Sequence, residues 1–134
     1  MRHGVKFVIV GAHAVAYHAR PRYTKDIDIL VQPSLENGSR IVVALDEFGF
    51  GAVGLTADDF AEPGGIVQLG VQPSRIDLLT AIDGVSFDEV WSDRVSALYG
   101  QAPVDYIGRM SLIKNKRASG RPQDLLDLES LTDV

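Results

Sequence analysis

Two rhythms of apolar and polar positions divide the chain. Val5-Lys6-Phe7-Val8-Ile9-Val10 is a short β-branched run that ends at Gly11, the pattern of a buried strand. Ala12–Ala19 carries good helix formers and stops before Pro21, which predicts a short helix, and Arg20–Lys25 reads as loop. Asp26-Ile27-Asp28-Ile29-Leu30-Val31 alternates acid and aliphatic positions as a strand does. Ser34 then caps a helix on which Leu35, Ile41, Val42 and Leu45 share a stripe, ending near Phe48-Gly49. A Gly-, Asp- and Pro-containing stretch follows, with one turn of helix expected at Ala57–Ala61.

The second half repeats these signals. Ile66–Val71 and Arg75–Ile82 read as strands joined by a Gln72-Pro73-Ser74 turn. Ser86 caps a helix reaching Asp93, with Asp88 and Glu89 in the first turn where the helix dipole favours them. Val95–Tyr99 and Ala102–Ile107 are strands about Gly100, and helices at Arg109–Ser119 and Gln123–Leu131 close the chain. The expectation is a single α/β (α+β) domain over residues 1–134, a mixed sheet flanked by helices without regular βαβ alternation.

Composition narrows the function classes. The absence of cysteine excludes disulfide scaffolds, cysteine zinc sites and thiol nucleophiles. Apolar runs stay far below the ~18 residues of a membrane span, and the N-terminus lacks a signal-peptide stretch, so a cytoplasmic chain is expected. With 13 basic and 18 acidic side chains the formal charge is −5, which argues against a broad polyanion-binding surface. Five of those cations lie between Arg109 and Arg121 without an intervening carboxylate. That cluster suits a local anion site, although a solvated helix face balanced by Asp124, Asp127 and Glu129 is the simpler account.

Candidate chemistry centres on the acids. Asp26 and Asp28 share one strand face, where like charges repel unless a cation lies between them. Oxygen ligands alone suit a hard ion, Mg²⁺ or Mn²⁺; the competing reading is the solvated face of an edge strand. Gly11 lets an anion approach the backbone at a helix N-terminus, and Arg22 and Thr24 share the parity of the acid pair. Asp77 is a lone acid in an apolar strand and needs a partner, either a metal or an arginine such as Arg75. His13 and His18 lie five apart on one helix and read as packing residues; Phe87, Trp91 and Tyr99 read as core.

Gly11-Ala12, a thirteen-residue spacer, Asp26-Ile27-Asp28-Ile29 and a later strand acid resemble the nucleotidyltransferase superfamily of the polymerase-beta type. The segments 11–18, 22–28 and 112–128 resemble its minimal bacterial branch, that of abortive-infection-type toxin nucleotidyltransferases. The resemblance implies that Asp26, Asp28 and Asp77 bind metals and drive catalysis. It implies that Gly11, Ala12, Arg22, Thr24, Lys114 and Lys116 hold the nucleotide, with Asp124 orienting a lysine. The implied activity is transfer of a nucleoside monophosphate from an NTP, ATP among the candidates, to a hydroxyl of RNA, protein or a small molecule, in a toxin-antitoxin or phage-defence context. A non-catalytic nucleotide-binding or antitoxin-like partner module on the same fold is the alternative; an aminoglycoside-type transferase is a remoter one. The sequence departs from the pattern where Ala12 replaces a second Gly or Ser, and where little chain precedes the first strand or follows Leu131. Those ends suggest a trimmed or minimal form in which a partner protein or a second copy recognises the acceptor, away from any membrane.

Overall fold

The computed structural model describes residues 4–19, 26–47, 54–70 and 75–132. Strand β1 (Phe7–Val10) runs into helix α1 (Gly11–His18), and β2 (Ile27–Val31) leads to α2 (Leu35–Glu47). A 3-10 turn at Ala57–Phe60 precedes β3 (Ile66–Leu69) and β4 (Ile76–Leu79). Then come α3 (Phe87–Asp93), β5 (Val95–Tyr99), β6 (Ala102–Tyr106), α4 (Arg109–Ser119) and α5 (Pro122–Thr132). The fold is α+β, helices about one mixed six-stranded sheet of order β3-β4-β2-β1-β6-β5.

Three antiparallel pairs, β3/β4, β2/β1 and β6/β5, build that sheet, joined by two parallel contacts, β4 to β2 and β1 to β6. At the first junction Asp28 lies opposite Asp77 and, on its other side, opposite Val10. β2 is therefore an inner strand, which overturns the edge-strand reading of its acids.

Both sheet faces are covered. Successive side chains point to opposite faces, and Leu30 joins Val10, Val15, Val90, Leu112 and Leu131 beneath α1, α3, α4 and α5. Val31 and Leu78 join Ile41, Ala44 and Phe60 on the other face, beneath α2. Asn37, buried in the first half of α2, ties this layer down. Its Oδ1 accepts the Lys6 amide at 2.8 Å, and its Nδ2 donates to the Lys6 and Gln32 carbonyls at 3.1 and 3.0 Å.

Predicted and observed elements differ mainly at their ends. The first strand begins at Phe7, where the Lys6 amide is diverted to Asn37 Oδ1 while the Lys6 carbonyl still accepts the Gln32 amide. The strand expected to reach Ile82 stops at Leu79, where the Thr80 hydroxyl accepts the Gly65 amide at 2.6 Å and Ile82 turns back to bridge Val85. Ser34 and Ser86 cap as predicted, accepting the Asn37 and Glu89 amides at 3.0 and 3.2 Å. Tyr99 is not core: it is 43% exposed at the turn before Gly100, edge-on to His13. Phe87 is buried and stacks with Trp91, whose ring also carries the Arg94 guanidinium 3.7 Å from its centroid. The expected loop at 20–25, helix end at 48–49 and turn at 72–74 lie outside the described residues.

Candidate functional site

The parallel junction of β2 and β4 opens into a cavity of about 730 Å³ between the sheet and the last two helices. Asp26, Asp28 and Asp77 all line it, as do Gly11 and Ala12. Strand parity and parallel register produce this meeting. Asp26 and Asp28 share a face, and Asp77 reaches the same face from the neighbouring strand. The opposite wall comes from α4, α5 and the turn between them, through Asn115, Lys116, Arg121, Asp124 and Asp127.

Gly11 seats Asp28. The first residue of α1 has φ +68°, in the left-handed region, and a Cβ there would collide with the Asp28 carboxylate. No side chain caps this helix. Burial, foremost, and then the neighbouring Asp77 and Asp26 carboxylates push the Asp28 pKa above its ordinary value, against the pull of Lys116 and Arg75.

Arg75 supplies the cation that the paired acids demand. Its Nη2 lies 3.3 Å from Asp26 Oδ2, and its Nε lies 3.0 Å from Asp77 Oδ1. Nη2 also donates to Asp77 Oδ2 at 3.4 Å. The pairing is electrostatic more than directional, because buried Asp77 Oδ1 and Arg75 Nε each lack a hydrogen bond of proper geometry. Among the described residues no three His, Asp or Glu side chains are spaced to enclose a metal ion, and a guanidinium stands between two of the three candidate acids. The donor set still fits a hard divalent ion: three carboxylates in one cavity, with the buried Asp77 Oδ1 held by Arg75 without a directed hydrogen bond.

Across the cavity, Lys116 is 6% exposed, and its ammonium lies 3.0 Å from Asp124 Oδ1 and 3.2 Å from Asp127 Oδ2. Arg121 brackets Asp124 from outside, its Nε 2.8 Å from Oδ2, while its own side chain stays 74% exposed. Burial raises the Asp124 pKa, but hydrogen bonds from Arg121 and Lys116 outweigh it and hold the carboxyl below its usual range. Gln123 donates to Asp127 Oδ1 at 3.1 Å, so the cluster is closed on itself.

The expected residues thus divide. Asp26, Asp28, Asp77, Gly11, Ala12, Lys116 and Asp124 are brought together. Lys114 is not: one helix position is about 100° of rotation, and its ammonium pairs with Glu89 at 2.8 Å on the outer surface. Arg22 and Thr24 lie outside the described residues. The solvated-face account holds for Lys114 and Arg117 and fails for Lys116, Asp124 and Asp127, which are buried. From the sequence, Arg75 is only one possible partner for Asp77, Arg121 is one cation of the Arg109–Arg121 run, and Asp127 is only a balancing surface charge. The shared parity of Arg75 with Asp77 and the i, i+3 spacing of Asp124 and Asp127 were the signals available.

His13 and His18 bind within the fold. Burial lowers the His13 pKa, opposed by its hydrogen bond to the Asp26 main chain, and His18 Nε2 lies 2.7 Å from the Ile107 carbonyl oxygen. No helix among the described residues is long and apolar enough to cross a membrane. No protein-family model matches the chain, and no curated protein matches it either.

Proposed function

We propose that this chain is a metal-dependent nucleotidyltransferase that moves a nucleoside monophosphate from an NTP to an acceptor hydroxyl. The observation that carries the reading is the convergence of Asp26, Asp28 and Asp77 on one cavity that also holds Gly11 and the cations Arg75, Lys116 and Arg121. Asp26, Asp28 and Asp77 would hold Mg²⁺ or Mn²⁺, which when bound supplies Lewis-acid stabilisation of the phosphates and a lowered hydroxyl pKa. Asp77 accepts the proton of the attacking hydroxyl. The hydroxyl oxygen forms a bond to the α-phosphorus while the bond to the β-bridging oxygen breaks, and pyrophosphate leaves with that electron pair. Exposed Arg121 faces the departing charge, and the main-chain amides after Gly11 offer an uncapped helix start to the phosphates. Lys116, committed to Asp124 and Asp127, offsets their charge and fixes α4 to α5.

The test is incubation with each labelled NTP, Mg²⁺, and either cellular RNA or lysate protein. Label should enter one pool and vanish in the Asp26→Asn/Asp28→Asn double variant. No transfer from any NTP would favour the non-catalytic reading. That reading has its own support, since Arg75 already neutralises Asp26 and Asp77 without an ion.

A further inference from the structure

We infer that Arg75 is a built-in stand-in cation that competes with the metal for Asp26 and Asp77 and, once displaced, becomes an anion-binding residue of the same cavity. The inference rests on the metal-dependent reading above and adds to it a residue that sets which cations can enter. Three features carry it. The guanidinium reaches both acids, at 3.3 Å to Asp26 and 3.0 Å to Asp77, so it occupies the space between them. It holds Asp77 incompletely, since Asp77 Oδ1 and Arg75 Nε are buried without a directed hydrogen bond. And the Arg75 side chain is 31% exposed and lines the cavity, so it can swing outward without opening the core.

The chemistry then selects for charge. A monovalent ion would replace one positive charge by another and lose the guanidinium contacts, so sodium or potassium gains nothing by entering. A divalent ion brings twice the charge to three carboxylates and takes up oxygen lone pairs that a planar guanidinium leaves unmatched. The released guanidinium remains tethered to β4 at the cavity rim, where a phosphate-bearing ligand would meet it together with Arg121. Metal and anionic ligand are thereby coupled: each removes the reason for Arg75 to stay on the acids.

Mn²⁺ titration followed by the electron paramagnetic resonance of the free ion tests this on wild type, Arg75→Gln and Asp28→Asn. Arg75→Gln should bind Mn²⁺ at least about tenfold more tightly than wild type, as expected when a cation beside a carboxylate is removed, and Asp28→Asn should bind far more weakly. Equal or weaker affinity in Arg75→Gln, with wild-type binding still lost in Asp28→Asn, would overturn the stand-in role and leave the metal site standing. No Mn²⁺ binding by any of the three would overturn both. A readout on the wild type guards against a misfolded variant: the arginine side-chain Nε–H resonances followed by NMR during Mg²⁺ addition. One of them, identified through Arg75→Lys, should move with Mg²⁺ and stay put with equivalent NaCl. A resonance indifferent to Mg²⁺ in a protein that binds Mn²⁺ would also reject the proposal.

Discussion

At the scale of single residues, Asp28 is held from two sides. It is pressed against Gly11 on one side and faces Asp77 on the other, and its carboxyl titrates above the usual range. A carboxyl whose folded pKa is raised binds its proton more tightly in the native state, so stability falls as pH rises from the unfolded value of ~3.9 through the folded one. Asp28→Asn, measured in EDTA, should therefore raise Tm at pH 7 by a few degrees, since ~1 kcal/mol moves Tm by roughly 3–6 °C at this size. The gain should disappear below about pH 4, and a loss of stability at pH 7 would contradict the electrostatic account. Gly11→Ala tests the other side. The left-handed backbone alone costs about 1–2 kcal/mol, and the collision with Asp28 adds to it, so urea unfolding should shift clearly toward lower midpoints. The pairing of Asp26 with Asp28 was legible from the sequence because strand parity is a local property. The reason Gly11 must be glycine was not, since the collision comes from a residue seventeen positions away.

Among the elements, the junction of α4 and α5 depends on a buried charge cluster rather than on apolar contact alone. Breaking a buried pair by removing one partner typically costs about 3–5 kcal/mol, so Lys116→Ala should lower stability toward that scale, leaving Asp124 to Arg121 and Asp127 to Gln123 without the buried ammonium between them. Lys114→Ala, on the outer face of the same helix, should leave Tm where it is. Equal effects in the two would argue that α4 is oriented differently. Asn37→Ala is the corresponding test on α2. It would orphan the Lys6 amide and remove a donor from the Gln32 carbonyl, while the Lys6 carbonyl keeps the Gln32 amide; each group left unpaired costs about 1–3 kcal/mol if water does not reach it. Helix and strand positions were readable from periodicity and caps, as Ser34 and Ser86 illustrate. Strand ends were not: β4 ends at Leu79, where the Thr80 hydroxyl takes the Gly65 amide, a partner fifteen residues away that no local pattern reveals.

For the molecule as a whole, the sheet order decides what the acids can do. That β4 lies beside β2 was not readable from composition or period, because a parallel contact is set by packing on both faces rather than by a turn. The acid response belongs to this scale too. Asp124 has a lowered pKa, so its contribution is present above the unfolded carboxyl value of ~3.9 and is lost as pH falls through the folded one. Acid unfolding followed by circular dichroism should be steep below about pH 4, and Asp124→Asn should flatten that limb while lowering stability at pH 7. A limb unchanged in that variant would assign acid unfolding to other carboxylates.

The position of Arg75 two residues before Asp77 has a consequence for assembly. Docking of β4 against β2 sets Asp77 beside Asp28, a like-charge approach late in a search for distant partners. The compensating guanidinium rides on the approaching segment itself, so charge and counter-charge arrive together. The chain can close its sheet in dilute buffer without recruiting an ion from solution, and its folding rate should be nearly flat in ionic strength. Arg75→Gln would remove that escort, and refolding would then speed up as salt is added.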